Sequence, residues 1–304
     1  MIKKIMFLGS KKLGLISAKA LYDSAPGILA GIITINDFKD KRNILDDFRQ
    51  FAEDKKIPFS VLQKPSELSV LIDQKKPDMI IVVGWYWIIN KQLIRKVPFG
   101  ILGIHASLLP KYRGFAPLVW ATICGEKKTG ISLFYFDPGV DTGDIVAQKE
   151  FEISINDTIK ELLLKTEKSI VDILRENYPK LIAGKAPRTK QNHGNATYCS
   201  QREPVDGKID WNLSNKKIYD FIRAQAPPYP GAFSMIDDKQ IIITKSRLFA
   251  YPYEGIAGLV CQITNESIVV CCGKNAIEIL EFIVDGEVKS IKENNFIKFG
   301  QRFV

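Results

Sequence analysis

The chain is poor in the residue types that build metal centres and disulfide frameworks. Its 304 residues include only two histidines, His105 and His193, and five cysteines. The number of cysteines is odd and no C-x-x-C spacing occurs, so buried, reduced thiols are favoured over a disulfide framework or a zinc ribbon. Two distant histidines without partnering cysteines give no ligand set, and we expect no bound metal.

The sequence also lacks a long hydrophobic run. No apolar stretch reaches the roughly 18 residues that a membrane span needs. The apolar stretch at residues 5–8 is too short for the core of a signal peptide. These absences predict a soluble, cytoplasmic protein with no membrane partner.

Basic residues are in excess but form no dense tract. Lysine and arginine number 43 against 34 acidic residues, which gives a net charge of +9. Such an excess can favour nucleic acids or nucleotide phosphates as partners. The lysines stand in scattered pairs, which is more typical of a solvated surface. The net charge therefore says little about which partner the protein binds.

The first half of the chain alternates short apolar runs with amphipathic ones. The predicted strands are residues 4–8, 28–34, 79–84, 100–105, 130–136 and 144–153, and the predicted helices are 13–22, 44–54, 67–74, 157–182 and 214–223. Apolar strands that alternate with helices are typical of βαβ units, and they predict an α/β domain with a parallel-rich sheet.

The second half has a different character. Residues 184–206 lose periodicity and are rich in Gly, Pro, Asn and charge, which predicts a linker. From residue 232 onward, short strand-like runs follow one another without βαβ spacing, which favours a small β-barrel.

One histidine stands at the end of a predicted strand. In GIHASLLPKYRG, residues 103–114, His105 ends an apolar run and meets a polar loop. Strand ends hold side chains rigidly while loops shape pockets, so chemistry is common there. A lone histidine in this setting is more often a hydrogen-bonded structural residue, so other residues must decide.

A tight acidic loop supplies the second candidate. DPGVDTGD, residues 137–144, holds three acids and two glycines, with Asp141 at its centre. The spacing does not match a calcium-binding EF-hand loop, and an ordinary turn between strands is the alternative to a functional carboxylate. Other chemistries are weaker, because Ser107 lies in no G-x-S-x-G elbow and the turn at residues 9–14 matches neither phosphate-loop motif.

Together, His105 and Asp141 suit the transfer of a carbonyl group to an amine. A carboxylate orients an imidazole and favours its charged form. One group of such a pair can stabilise the tetrahedral oxyanion while the other takes the proton of the amine.

Three stretches together resemble the folate-dependent formyltransferase family, which includes methionyl-tRNA formyltransferases and nucleotide-amino-sugar N-formyltransferases. They are HASLLPKYRG at 105–114, APLVWATICGEKKTG at 116–130 and DPGVDTGDI at 137–145. A fourth stretch, residues 207–233, resembles the segment that joins the two domains of that family.

The resemblance implies a fold, a co-substrate and a set of site residues. We expect a Rossmann-like catalytic domain at 1–183, a linker at 184–206 and an OB-like C-terminal domain at 207–304. The implied co-substrate is N10-formyltetrahydrofolate, whose formyl group passes to a primary amine. The implied residues are His105 and Asp141 for catalysis, Trp87, Ile88, Ile89, Ser107, Leu108, Leu109, Gly139 and Val140 for the folate, and Lys111 and Arg113 for the acceptor.

One position departs from the family pattern. The family has Asn-x-His where this chain has Gly103-Ile104-His105. The asparagine donates a hydrogen bond to the formyl oxygen, and removing such a donor typically lowers the rate by about 10²–10³. Three explanations compete: a water or backbone N–H replaces it, the acceptor differs, or the chain is a weak or inactive homologue. We favour a working subtype because His105, Asp141 and both loops are present.

The acceptor is predicted from what the N-terminal region lacks. The tRNA enzymes begin with a G-T-P-x-F-A turn and carry a long basic loop after the second strand, whereas this chain has LGSKKLG and only FKDKRN. We therefore favour a nucleotide-linked amino sugar, with initiator tRNA as the alternative. A non-catalytic folate- or nucleic-acid-binding homologue is the alternative of another class, and a homodimer is left open.

Overall fold

A computed structural model describes residues 1–38, 40 and 42–304. The chain packs as two compact units that interleave along the sequence. Unit 1 comprises residues 1–114, 129–151 and 165–198, and unit 2 comprises residues 115–128, 152–164 and 199–304. The division into 1–183, 184–206 and 207–304 stays a prediction, since the units are defined by packing rather than by chain order.

Unit 1 is built on a seven-stranded sheet in the order β3-β2-β1-β4-β5-β7-β8. The pairs from β3 to β5 are parallel, and β7 runs antiparallel to β5. The strands are β1 (Ile5–Gly9), β2 (Leu29–Ile35), β3 (Phe59–Leu62), β4 (Met79–Val83), β5 (Ile101–His105), β7 (Lys128–Tyr135) and β8 (Ile145–Glu152). The parallel-rich α/β sheet predicted from the sequence is confirmed.

Helices and a short strand pair complete the first part of the chain. The helices are α1 (Lys11–Ser24), α2 (Leu45–Asp54), α3 (Ser66–Lys75), α4 (Lys91–Arg95), α5 (Pro117–Ile123) and α6 (Ile159–Ile182). Strands β6 (Arg113–Gly114) and β9 (Tyr198–Cys199) form a two-stranded pair. Short 3-10 turns lie at His193–Asn195 and Pro204–Gly207.

Both faces of the unit 1 sheet are covered by apolar side chains. Strand β1 shows the alternation clearly, because Ile5 and Phe7 belong to one core cluster while Met6 and Leu8 belong to another. Successive side chains of a strand point to opposite faces, so a strand buried on both faces must be apolar throughout. This explains why the first strands are continuous apolar runs.

Unit 2 contains a six-stranded sheet ordered β10-β11-β14-β13-β12, with β15 paired to β14. Its elements are α7 (Asn215–Gln225), β10 (Ala232–Ile236), β11 (Lys239–Leu248), β12 (Val260–Ile263), β13 (Ile268–Cys271), β14 (Ala276–Val284), β15 (Glu287–Ser290) and a 3-10 turn at Ile291–Glu293. The five strand pairs of this sheet are antiparallel in the described part of the chain. The β-rich character is confirmed, while closure into a barrel stays a prediction.

The sequence analysis missed β3, α4 and α5 because each is short. Strand β3 has four residues and α4 has five, too few to show a period. Helix α5 has seven residues and begins with Pro117, a residue that suits the first turn of a helix.

Several expected absences can be examined in the described part of the chain. No helix there is long and apolar enough to cross a membrane. No cluster of three or more candidate metal ligands occurs among residues 1–38, 40 and 42–304. The five cysteines are free, and burial raises the pKa of the Cys272 thiol to about 12, which makes it unreactive. Cytoplasmic localisation stays a prediction.

We expect the Arg223 ion pair to carry much of the stability of unit 2. Arg223 and Asp220 lie 2.7 Å apart and are 5% and 3% exposed, and Arg223 also donates to the carbonyls of Ser154 and Asp157. Arg223→Leu should lower the free energy of unfolding by about 3 kcal/mol, because it leaves a buried carboxylate without its main partner. Urea denaturation followed by circular dichroism measures the change.

The matched control is Lys239→Ala. Lys239 pairs with Asp285 on the surface of the same unit, with side chains 45% and 66% exposed. This substitution should change the free energy of unfolding by less than about 1 kcal/mol. Equal effects of the two substitutions would show that burial of the Arg223 pair does not matter.

Candidate active site

His105 ends strand β5 and is 9% exposed. Its Nε2 atom lies 2.7 Å from the carbonyl oxygen of Tyr112. A carbonyl oxygen only accepts hydrogen bonds, so Nε2 must carry a proton and donate it. The hydrogen bond made by one ring nitrogen fixes the state of the other. The neutral ring therefore has its free electron pair on Nδ1.

The carboxylate of Asp141 faces that nitrogen. Asp141 Oδ2 lies 3.5 Å from His105 Nδ1 and accepts a hydrogen bond of 2.8 Å from the backbone N–H of Gly114. The predicted pair is thus brought together across 36 positions of the chain by β5 and the loop after β7. The roles of both residues in catalysis stay a prediction.

The loop that carries Asp141 is held by side chains on both sides. Asp141 has a left-handed φ of 52°, a region that aspartate tolerates better than most residues. Within the loop, Asp137 accepts hydrogen bonds from the N–H of Gly139 and from the Thr142 hydroxyl. From outside, the amide of Gln191 donates to the carbonyls of Asp141 and Gly143 at 2.8 and 2.7 Å.

Arg113 is 1% exposed and holds Gln191 in turn. Its Nε and one terminal nitrogen donate to Gln191 Oε1 at 3.2 and 2.6 Å, and its remaining contacts are Tyr198 Oη and His193 Nδ1, both at 3.0 Å. In this structure the guanidinium is therefore buried, with its nitrogens engaged by these contacts. That Arg113 binds the acceptor stays a prediction.

The SLLP loop is fixed by two serines. The Ser107 hydroxyl donates to the Lys111 carbonyl at 2.6 Å, and the Ser132 hydroxyl donates to the Ser107 carbonyl at 2.7 Å. The N–H of Leu109 donates to the same Ser132 oxygen at 3.0 Å. Ser107 is fully buried, so the structure gives it a place in the loop scaffold. Lys111 is exposed.

A cavity of about 320 Å³ has Asp141 in its wall, and His105 meets it through the ring of Phe134. Its lining residues are Trp87, Ile88, Ile89, Phe134, Phe136, Asp137, Pro138, Gly139, Val140 and Asp141. The five folate residues predicted around the cavity, Trp87, Ile88, Ile89, Gly139 and Val140, are therefore brought together with Asp141. Ser107, Leu108 and Leu109 are not among its lining residues.

Sequence reasoning missed two aromatic walls of this cavity. Phe134 and Phe136 both line it, and their ring centroids are 5.3 Å apart. The Phe134 ring also meets the His105 ring edge-on, with centroids 6.5 Å apart. The alternation F-Y-F just before the acidic loop is the signal that could have found them, since it places both phenylalanines on one face of the strand.

The site thus combines a histidine–carboxylate pair with an aromatic cavity on a parallel-rich α/β sheet. Comparison with known proteins shows the class of protein. The family model for the formyl transferase domain matches residues 32–176, and the model for the formyl transferase C-terminal domain matches residues 202–298. The chain belongs to the formyltransferase family, whose members are folate-dependent transferases.

Relatives with two kinds of acceptor resemble this chain. A methionyl-tRNA formyltransferase from Caldanaerobacter subterraneus subsp. tengcongensis is 32% identical over 293 residues, covering 94% of each chain. The structure of WlaRD, a sugar 3N-formyl transferase solved with dTDP and 5-N-formyl-THF, matches with a TM-score of 0.69 at 23% identity, over 92% of this chain and 98% of that one. An N-formyltransferase from Helicobacter canadensis, in complex with folinic acid and dTDP-3-aminofucose, matches with a TM-score of 0.70 at 22% identity, over 92% and 99% of the chains.

We expect Gln191→Glu to separate positioning from stability. A glutamate keeps an acceptor for Arg113 but loses the N–H donors to the carbonyls of Asp141 and Gly143. The loop that holds Asp141 should then shift, and the new carboxylate should bring a second negative charge near Asp141. Both effects should lower kcat, which should fall by about 100-fold for a displacement of about 1 Å. Steady-state kinetics and thermal unfolding measure the two properties together.

Gln191→Met is the matched variant. It removes both the acceptor and the donor, so it leaves the buried Arg113 without its main partner and should lower the free energy of unfolding by about 3 kcal/mol. If Gln191→Glu retained full kcat while folded, the glutamine would not position Asp141.

Proposed function

We propose that this chain transfers the formyl group of N10-formyltetrahydrofolate to the primary amine of a nucleotide-linked amino sugar. The observation that carries the chemistry is the pair of His105 Nδ1 and Asp141 Oδ2, 3.5 Å apart, with Asp141 in the wall of the cavity.

The reaction moves one carbon unit between two nitrogens. The amine nitrogen attacks the formyl carbon, and the carbonyl electrons move to oxygen to give a tetrahedral intermediate. The amine then loses a proton, the bond between the formyl carbon and N10 of the folate breaks, and N10 takes up a proton. The products are a formamide and tetrahydrofolate.

His105 is suited to take the proton of the attacking amine. Because Nε2 donates to the Tyr112 carbonyl, the neutral ring presents its electron pair at Nδ1. Protonation of Nδ1 produces an imidazolium next to the Asp141 carboxylate, which stabilises it. General acid–base catalysis of this kind contributes about 10²–10⁴ in rate.

The cavity suits the flat ring of the donor. Its walls are the aromatic and aliphatic side chains of Trp87, Ile89, Phe134 and Phe136. Predominantly apolar walls with a few polar groups are typical of sites for small organic ligands. WlaRD and the Helicobacter canadensis enzyme, which share the fold, were solved with formylated folates. This supports N10-formyltetrahydrofolate as the co-substrate.

The region after strand β2 favours a small acceptor over tRNA. The connection from β2 to α2 spans only residues 36–44. Within it, Asp37 and Asp40 form ion pairs with Lys11, and Arg42 pairs with Asp40 at 2.8 Å. Lys11 and Arg42 are therefore already paired with aspartates, which weakens their hold on a polyanion. Lys39 and Lys41 of the same connection lie outside the described residues. Lys111, exposed on the SLLP loop, is our candidate contact for the pyrophosphate of a nucleotide sugar.

Methionyl-tRNA formylation is the second candidate. It is favoured by the 32% identity with the Caldanaerobacter methionyl-tRNA formyltransferase over 94% of both chains. The catalytic pair serves either acceptor equally, because the reacting group is a primary amine in both.

The test is tetrahydrofolate release from N10-formyltetrahydrofolate with two sets of acceptors: nucleotide-linked amino sugars and charged initiator tRNA. Turnover with a sugar supports the proposal. Turnover with tRNA alone would establish the second candidate, and this activity should fall steeply with salt. Folate binding without turnover on any amine would indicate the non-catalytic homologue.

We expect Asp141→Asn to lower kcat by about 10²–10⁴ and to leave the affinity for 5-formyltetrahydrofolate within about threefold. The substitution removes the charge that stabilises the imidazolium but preserves the shape of the cavity wall. The control is Asp23→Asn, the same change at an exposed position of helix α1, which should retain wild-type turnover. A fully active Asp141→Asn variant would remove the carboxylate from the mechanism.

A further inference from the structure

The glycine at position 103 is explained by space rather than by backbone conformation. Gly103 lies in the middle of β5, and its φ is not positive, so its backbone conformation does not require a glycine. A Cβ atom added there would lie 2.2 Å from Cε1 and 2.9 Å from Cζ of Phe136. No real Cβ contact is that short, so a side chain at 103 and the present position of the Phe136 ring exclude each other.

The sheet register brings Phe136 onto this glycine. Gly103 is paired with Phe134 across β5 and β7, so the two residues share a face, and His105 and Phe136 follow on that same face two positions along their strands. The N–H of Phe136 donates to the carbonyl of Ile101 at 2.7 Å, and its ring packs against Phe134. The ring position is therefore fixed by backbone and side chain.

We infer that Gly103 and Phe136 form a size-matched pair in which the missing side chain makes room for an aromatic ring that binds the formyl donor. Phe136 is half-buried and lines the cavity with Trp87 and Phe134, so one part of its ring remains open to a ligand. Flat aromatic systems stack favourably on such rings. This inference rests on the proposed function, because it assigns the ligand of the ring as the pteridine of the folate.

Gly103 and Phe136 take part in binding the donor and not in proton transfer. A glycine offers no side-chain donor to the formyl oxygen, so residue 103 contributes only space. The Phe136 ring positions the formyl donor, while His105 and Asp141 carry out the proton transfer.

Ligand binding tests the ring contact. Calorimetric titration with 5-formyltetrahydrofolate should show that Phe136→Leu weakens binding by about threefold to tenfold, because leucine fills space without an aromatic face. Phe99→Leu makes the same change two residues before β5, on a partly exposed ring outside the cavity, and should leave binding unchanged. Unchanged binding by Phe136→Leu would overturn the donor contact.

Thermal unfolding tests the size match without any ligand. Gly103→Ala alone should lower Tm by about 3–6 °C, because the added methyl group overpacks the site. In a Phe136→Ala background the same substitution should have no effect or raise Tm. An equal loss of Tm in both backgrounds would overturn the size-matched pair.

The binding titration and the Tm comparison can fail separately, so this inference can be told apart from the proposed function. If the wild-type chain did not bind 5-formyltetrahydrofolate at all, the proposed function and the donor contact would both be wrong. The Tm comparison would still decide whether Gly103 and Phe136 depend on each other.

Discussion

The geometry of the site depends on one glutamine side chain. Gln191 accepts from Arg113 with its oxygen and donates to the carbonyls of Asp141 and Gly143 with its nitrogen. Arg113 stands directly before Gly114, whose N–H binds the Asp141 carboxylate. The backbone and the carboxylate of the same aspartate are thereby held from two sides, and His105 meets a partner whose orientation is fixed before any substrate arrives. Preorganisation of this kind is what makes electrostatic stabilisation effective in a transferase site.

Burying an arginine costs desolvation free energy, and the hydrogen-bond partners of Arg113 explain why this burial is tolerated. The described partners of Arg113 are neutral: an amide oxygen, a phenol and an imidazole. A carboxylate in their place would bring a second negative charge close to Asp141 and compete for His105. Neutral acceptors satisfy the guanidinium without disturbing the charge balance of the His105–Asp141 pair.

The sequence was sufficient for most of the strands and helices of unit 1 and for the two residues of the pair, but not for β3, α4, α5 or the contacts around the pair. Continuous apolar runs predicted the strands because both faces of the unit 1 sheet are buried, and His105 and Asp141 were found from a strand end and an acidic loop. The burial of Arg113 could not be predicted, because its partner Gln191 lies 78 positions away and nothing near Arg113 shows that the loop folds inward. The F-Y-F alternation could have placed Phe136 on the same strand face as Phe134, but its contact with Gly103 depends on the register of β5 against β7, which the sequence does not show.

Under the proposed function, one pair of reacting groups, His105 and Asp141, can serve acceptors as different as tRNA and an amino sugar. The chemistry at the amine is the same for a tRNA-linked amino acid and for an amino sugar, so His105 and Asp141 can remain while the acceptor side changes. What must change is the electrostatics near the connection from β2 to α2, where a polyanion requires free cations and a small nucleotide does not. In this chain Lys11 is bound by two aspartates of that short connection. Under the proposed function, acceptor selection would then depend on charge pairing of this kind near the acceptor, with the reacting groups unchanged.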